Sequence, residues 1–80
     1  MYYVYIIRSE KDGSFYTGMT SDVDRRLQEH NRSDTKTTRS KKPWKVVYSQ
    51  EFPTRAEARK YEKYLKTGSG REFRKQILEQ

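Results

Sequence analysis

Tyr2-Tyr3-Val4-Tyr5-Ile6-Ile7, followed across Ser9-Glu10-Lys11-Asp12-Gly13 by Ser14-Phe15-Tyr16-Thr17-Gly18-Met19, decides the fold. The first run is β-branched and aromatic, and it is apolar at odd and even positions alike. Since alternate strand residues face opposite sides, it predicts a central strand covered on both faces. Asp12-Gly13 is a strong hairpin signal, which makes the second run a returning antiparallel strand. Such pairing brings Tyr5 and Tyr16 close, while a loop of this length leaves the register open.

Downstream, Ser21 or Asp22 can cap a helix running to about His30, with Val23 and Leu27 facing the core and Arg26 and His30 sharing the adjoining face. Asn31 to Lys42 is polar and basic with no apolar period, and reads as a loop. Trp44 to Tyr48 reads as a third strand around Val46 and Val47. Thr54-Arg55-Ala56-Glu57 fits a capping box, so a second helix starts there and turns Ala58, Tyr61 and Leu65 inward. Glu62 lies only about 40° from Ala58 on the helical wheel, inside the apolar arc. Gly68-Ser69-Gly70 ends that helix, and Ser69 to Glu72 repeats the capping pattern ahead of a last helix burying Phe73 and Ile77. The expected class is α+β: a small antiparallel three-stranded sheet packed against helices, in the order β-β-α-β-α-α, forming one domain over residues 1–80.

Composition narrows the chemistry. The chain of 80 residues carries 18 Lys and Arg against 11 Asp and Glu, a net charge of +7, with a hydrophobic fraction of 31%. High charge with few aliphatics would favour disorder, but seven Tyr, three Phe and one Trp supply large rings for a thin core. The absence of Cys excludes disulfides, thiolate nucleophiles and Cys-built zinc sites. A single His excludes the multi-histidine zinc hydrolase sites. No apolar run approaches a membrane span and no signal peptide is visible, so the expected location is cytoplasmic, without a membrane role. The positive charge points to a polyanionic partner.

Four constellations could carry chemistry. Tyr5 and Tyr16 are either core packing or a pair of phenols in need of polar partners. Arg26 with His30 is either a solvated helix face or a phosphate clamp beside a group that exchanges protons near neutral pH. Glu62 either pairs with a cation such as Lys66 one turn on, or holds Mg²⁺ together with a substrate phosphate. Gly68-x-Gly70-Arg71 could cradle a phosphate on backbone N–H groups, or be a C-cap followed by an N-cap.

Taken together, the order and spacing of Tyr5, Tyr16, Gly18, Arg26, His30 and Glu62 resemble the GIY-YIG nuclease superfamily, in particular its small single-domain members. Tyr3-Val4-Tyr5 and Tyr16-Thr17-Gly18 stand at the two name-giving motifs. The similarity continues through Arg26-Leu27-Gln28-Glu29-His30-Asn31, Lys42-Pro43-Trp44, Glu57-Ala58, Tyr61-Glu62-Lys63 and Ser69-Gly70-Arg71-Glu72-Phe73. Tyr3 stands in place of a Gly, Val4 and Thr17 take Ile positions, and no Asn follows residue 31, although some members use one after the Glu helix. The resemblance implies a metal-dependent endonuclease hydrolysing DNA phosphodiester bonds, structure-selective or weakly sequence-selective, in DNA repair or recombination. It implies Glu62 as ligand to one Mg²⁺ or Mn²⁺, Arg26 as stabiliser of phosphoryl charge, Tyr5 as general base with His30 its rival, and Tyr16 positioning water or phosphate. Arg32, Lys36, Arg39, Lys41, Lys42 and Arg71 would then follow the DNA backbone. The alternatives are a noncatalytic nucleic-acid-binding module, against which the inward Glu62 speaks, and a protein or membrane-surface adaptor, against which the mixed charge of its helix speaks.

Overall fold

The structure, a computed structural model, describes residues 1–32 and 41–78. It is α+β, with strands β1 (Tyr2–Ser9), β2 (Phe15–Thr20) and β3 (Trp44–Phe52) and helices α1 (Val23–Asn31), α2 (Arg55–Leu65) and α3 (Gly68–Leu78), in the expected β-β-α-β-α-α order. The sheet is antiparallel with strand order β2-β1-β3. The doubly apolar β1 is therefore central, and Val4, Tyr5, Ile6 and Ile7 are all buried.

Each face of β1 has its own core. Val4 and Ile6 pack with Ala58 and Leu65 of α2, joined by Met19, Tyr61 and Leu78. Tyr5 and Ile7 pack with Trp44, Tyr16, Val23, Leu27 and Val46 on the α1 side. The sheet is thus sandwiched between α1 and the α2–α3 pair, which explains how so few aliphatic residues suffice.

Local chemistry sets the turns. Ser9 Oγ accepts from the Lys11 and Asp12 amides, and Asp12 Oδ1 accepts from Ser14 N, tightening the hairpin. Gly13 closes it at φ +78°, a region that side-chain-bearing residues seldom adopt. Lys41 ties the far loop to this hairpin through Ser14 Oγ and Asp12 Oδ2. Asp22, of the two candidate caps, accepts from Arg25 N at the start of α1, and Thr54 accepts from Glu57 N at the start of α2. The Asn31 side chain joins the end of α1 to both the N–H and C=O of Trp44, setting where β3 begins.

Three expectations are corrected. β3 runs four residues past Tyr48, to Phe52, because its polar half, Ser49 to Glu51, pairs with Tyr5 to Tyr3 of the central strand. A bulge between the Ile6–Tyr48 and Ile7–Val46 pairs absorbs the extra residue. The α3 cap is Thr67 rather than Ser69: Thr67 Oγ1 accepts from Gly70 N, and the Thr67 carbonyl accepts from Arg71 N. The stripe that α3 turns to the body is Gly70, Arg74 and Leu78, so Phe73 stays 39% exposed against Tyr64, while Ile77 is half-buried.

Candidate active site

Register decides which side chains meet. Ile7 pairs with Tyr16 and Tyr5 with Gly18, so both phenols rise from the α1 face of adjacent strands. Their ring centroids lie 6.4 Å apart. Gly18 is where the Tyr5 ring crosses β2: a Cβ there would lie 2.6 Å from Tyr5 Oη and 3.1 Å from a Tyr16 ring carbon. The glycine of the second motif thus makes room for the tyrosine of the first.

Helix α1 brings His30 and Arg26 over the same spot. Tyr5 Oη and His30 Nε2 share a hydrogen bond of 2.9 Å, and the Tyr16 ring meets the imidazole edge-on at 5.0 Å. His30 is wholly buried. Burial lowers its pKa, the Arg26 charge lowers it further, and Glu29 only partly offsets them. Both effects favour the neutral imidazole, whose Nε2 accepts from or donates to the Tyr5 hydroxyl according to its tautomer. Burial pushes the Tyr5 pKa up to about 12; hydrogen bonding from the Arg26 guanidinium opposes this, and the Tyr16 and Glu62 charges add to it. Arg26 also pairs with Glu29 Oε1 at 3.5 Å and keeps a third of its side chain exposed.

Glu62 approaches from the opposite helical layer. Its side chain is only 14% exposed, and its charge is felt at the Tyr5 phenol. One oxygen lies 3.4 Å from Lys66 Nζ and the other 3.9 Å from Arg59 Nε. The inward placement and the Lys66 pairing, opposed alternatives in the sequence, are both found. The site consequently has a partly exposed side of Arg26, Tyr16 and Glu62, and a buried side of Tyr5 and His30.

The basic positions differ in their surroundings. Arg32 and Lys42 are exposed, Lys41 is engaged with the hairpin, and Arg71 is exposed on α3. Lys36 and Arg39 lie outside the described residues. No backbone phosphate cradle forms at Gly68-x-Gly70, because the Gly70 N–H is held by Thr67 and Gly70 is buried against α2. The sequence reading passed over Arg74, whose Nη1 donates to Thr17 Oγ1 at 3.2 Å beside Tyr16. Its four-residue spacing from Gly70 was the signal available.

Comparison with known proteins finds matches over nearly the whole chain. Residues 1–76 match the model of the GIY-YIG catalytic domain. A UPF0213 protein of Staphylococcus saprophyticus is 39% identical over 79 residues, covering 98% of this chain and 95% of the relative. A UPF0213 protein of Halalkalibacterium halodurans is 44% identical over 66 residues, covering 81% of this chain and 69% of the relative. The solution NMR structure of a UPF0213 protein from Bacillus halodurans superposes with a TM-score of 0.58 at 39% identity, covering 96% of this chain and 83% of that one.

Proposed function

The chain belongs to the GIY-YIG family, and from that premise we propose that it is a metal-dependent endonuclease hydrolysing phosphodiester bonds in DNA. The observation that supports this most is the Tyr5–His30 hydrogen bond, with Arg26 on one side and the Glu62 charge on the other. A binding surface has no use for a buried proton relay beside a carboxylate that repels phosphate.

Glu62 suits a divalent cation. Both of its contacts exceed the 2.7–2.9 Å of a strong charge-assisted hydrogen bond, and both partner cations are more than half exposed, so the carboxylate is lightly held. No group of three His, Cys, Asp or Glu that could hold a metal occurs among the described residues. Glu62 would therefore share Mg²⁺ or Mn²⁺ with a substrate phosphate and water, as Mg²⁺ sites commonly do. A cation held there would supply Lewis-acid polarisation of a phosphoryl oxygen. Arg26 neutralises the charge developing on the equatorial oxygens, with Glu29 holding its guanidinium in place. Tyr16 positions the attacking water or the phosphate.

Tyr5 cannot serve as a standing phenolate with a pKa near 12. In our reading it takes the proton of the attacking water as it passes its own to His30 Nε2, so the two rival bases act as one relay. Arg32, Lys41, Lys42 and Arg71, with Lys36 and Arg39, follow the backbone. Such contacts carry no sequence information, which favours structure-selective or weakly sequence-selective cutting of the kind repair or recombination requires.

Plasmid, branched and single-stranded DNA incubated with the protein and Mg²⁺ or Mn²⁺ test the reading. Cleavage of at least one substrate, abolished by EDTA, is expected. Binding without cleavage across the whole panel would instead establish a noncatalytic binding module.

A further inference from the structure

Strand β2 is an edge of the sheet, and its outer side carries a feature that the proposed chemistry does not use. An open cavity of about 390 Å³ is lined by Phe15, Tyr16, Thr17, Lys66, Arg71 and Arg74. It brings together three cations and no carboxylate. Thr17, itself buried, accepts from Arg74 Nη1 and so fixes the guanidinium at the cavity wall, leaving its other N–H groups for a ligand. Tyr16 belongs at once to this cavity and to the Tyr5–His30 cluster. Tyr16 is thus the residue through which the cavity borders the candidate active site.

Lys66 also belongs to both places. It lines the cavity while its ammonium lies 3.4 Å from Glu62 Oε2. Its side chain is 54% exposed, so it can swing from one anion to the other. A carboxylate paired with Lys66 is less available to a cation. An anion entering the cavity offers Lys66 a competing partner.

We propose that the cavity beyond β2 is a subsite for a DNA phosphate neighbouring the one that is cut, held by Arg71 and Arg74, and that Lys66 leaves Glu62 for this phosphate. The subsite rests on the nuclease reading for the identity of its ligand, but its anion chemistry stands on the three cations and the fixed guanidinium. Substrate binding thereby clears the carboxylate for its cation, and the metal is held more weakly before DNA arrives.

Two measurements test this without recourse to turnover. In EDTA, the affinity for a fluorescent DNA duplex is followed across a KCl series. Arg71→Gln/Arg74→Gln should lose about ten-fold in affinity, and its log–log salt slope should fall by about 1, the ion-release increment of about 0.9 for one lost phosphate contact. Arg55→Gln, at the far end of α2, serves as control and should keep the wild-type slope. Equal slopes for wild type and the double variant, or an equal fall in the control, would reduce the cavity to generic basic surface. Arg71→Gln alone, at an exposed position, carries the test if the Arg74 change disturbs folding.

Mn²⁺ binding, read from the free-ion EPR signal without DNA, tests the exchange. Lys66→Gln should bind Mn²⁺ several-fold more tightly than wild type, and Glu62→Gln should lose this binding. Identical Mn²⁺ affinities in wild type and Lys66→Gln would overturn it. Cleavage of the same duplex by wild type with Mn²⁺ is scored separately. An unchanged salt slope in a protein that cuts rejects the subsite alone, while the expected slope change in a protein that never cuts rejects the nuclease alone.

Discussion

His30 shows at the scale of one residue how burial produces a chemical property. Its imidazole is surrounded by the Tyr5 and Tyr16 rings, with Arg26 close by, and both burial and the guanidinium disfavour the imidazolium. Its folded pKa lies below the ordinary 6.5, so the unfolded chain binds the proton first as pH falls. The stability contributed by neutral His30 is complete above pH 6.5 and is lost as pH falls through the folded pKa. As the sole histidine in the chain, it should dominate stability changes in that window. Thermal melting of wild type should therefore drop from pH 7.5 to pH 5 more steeply than that of His30→Gln. Parallel declines would show that His30 is not held neutral by its surroundings.

Between elements, the junction of α2 and α3 is a close backbone approach. A Cβ on Gly70 would run into the Tyr64 carbonyl and lie 2.7 Å from Leu65 Cα, both backbone atoms with little freedom to yield. Gly68, two residues earlier, has open space around it. Gly70→Ala should cost about 1–3 kcal/mol, as overpacking of rigid sites does, or about 4–8 °C in Tm for each kcal/mol. Gly68→Ala should be neutral or slightly stabilising, and equal melting temperatures for the two variants would refute this packing. The same junction explains where sequence reading failed. β1, the hairpin and Thr54 were legible, and the α1 cap was narrowed to Ser21 or Asp22, because each signal is local: strand composition, a turn glycine, a capping oxygen. The Phe73–Ile77 spacing gave α3 an inward face that tertiary contact overrode. The close approach at Gly70 rotates Arg74 and Leu78 inward instead, and no local pattern announces such a contact.

At the scale of the molecule, the candidate site draws on the sheet and on both helical layers. Tyr5 and Tyr16 come from the sheet, Arg26 and His30 from one layer, and Glu62 from the other. The order of the five candidate positions is in the sequence, but which of them are buried and which partly exposed is not. It depends on strand register and on Gly18 leaving room for the Tyr5 ring. The same is true of Arg74, whose importance lies in a bond to Thr17 across 57 residues of sequence. On the proposed function, the net charge of +7 would bring DNA to the surface, and the Glu62 carboxylate in that basic setting would separate cutting from holding.

Glu62→Gln measured against wild type, for plasmid nicking with Mn²⁺ and for DNA affinity in EDTA, tests that separation most directly. The account predicts at least about a hundred-fold loss of nicking, the scale on which a principal electrostatic stabiliser acts, with affinity equal to wild type or tighter. Nicking by the variant at the wild-type rate, or a loss of nicking matched by an equal loss of DNA affinity, would contradict it.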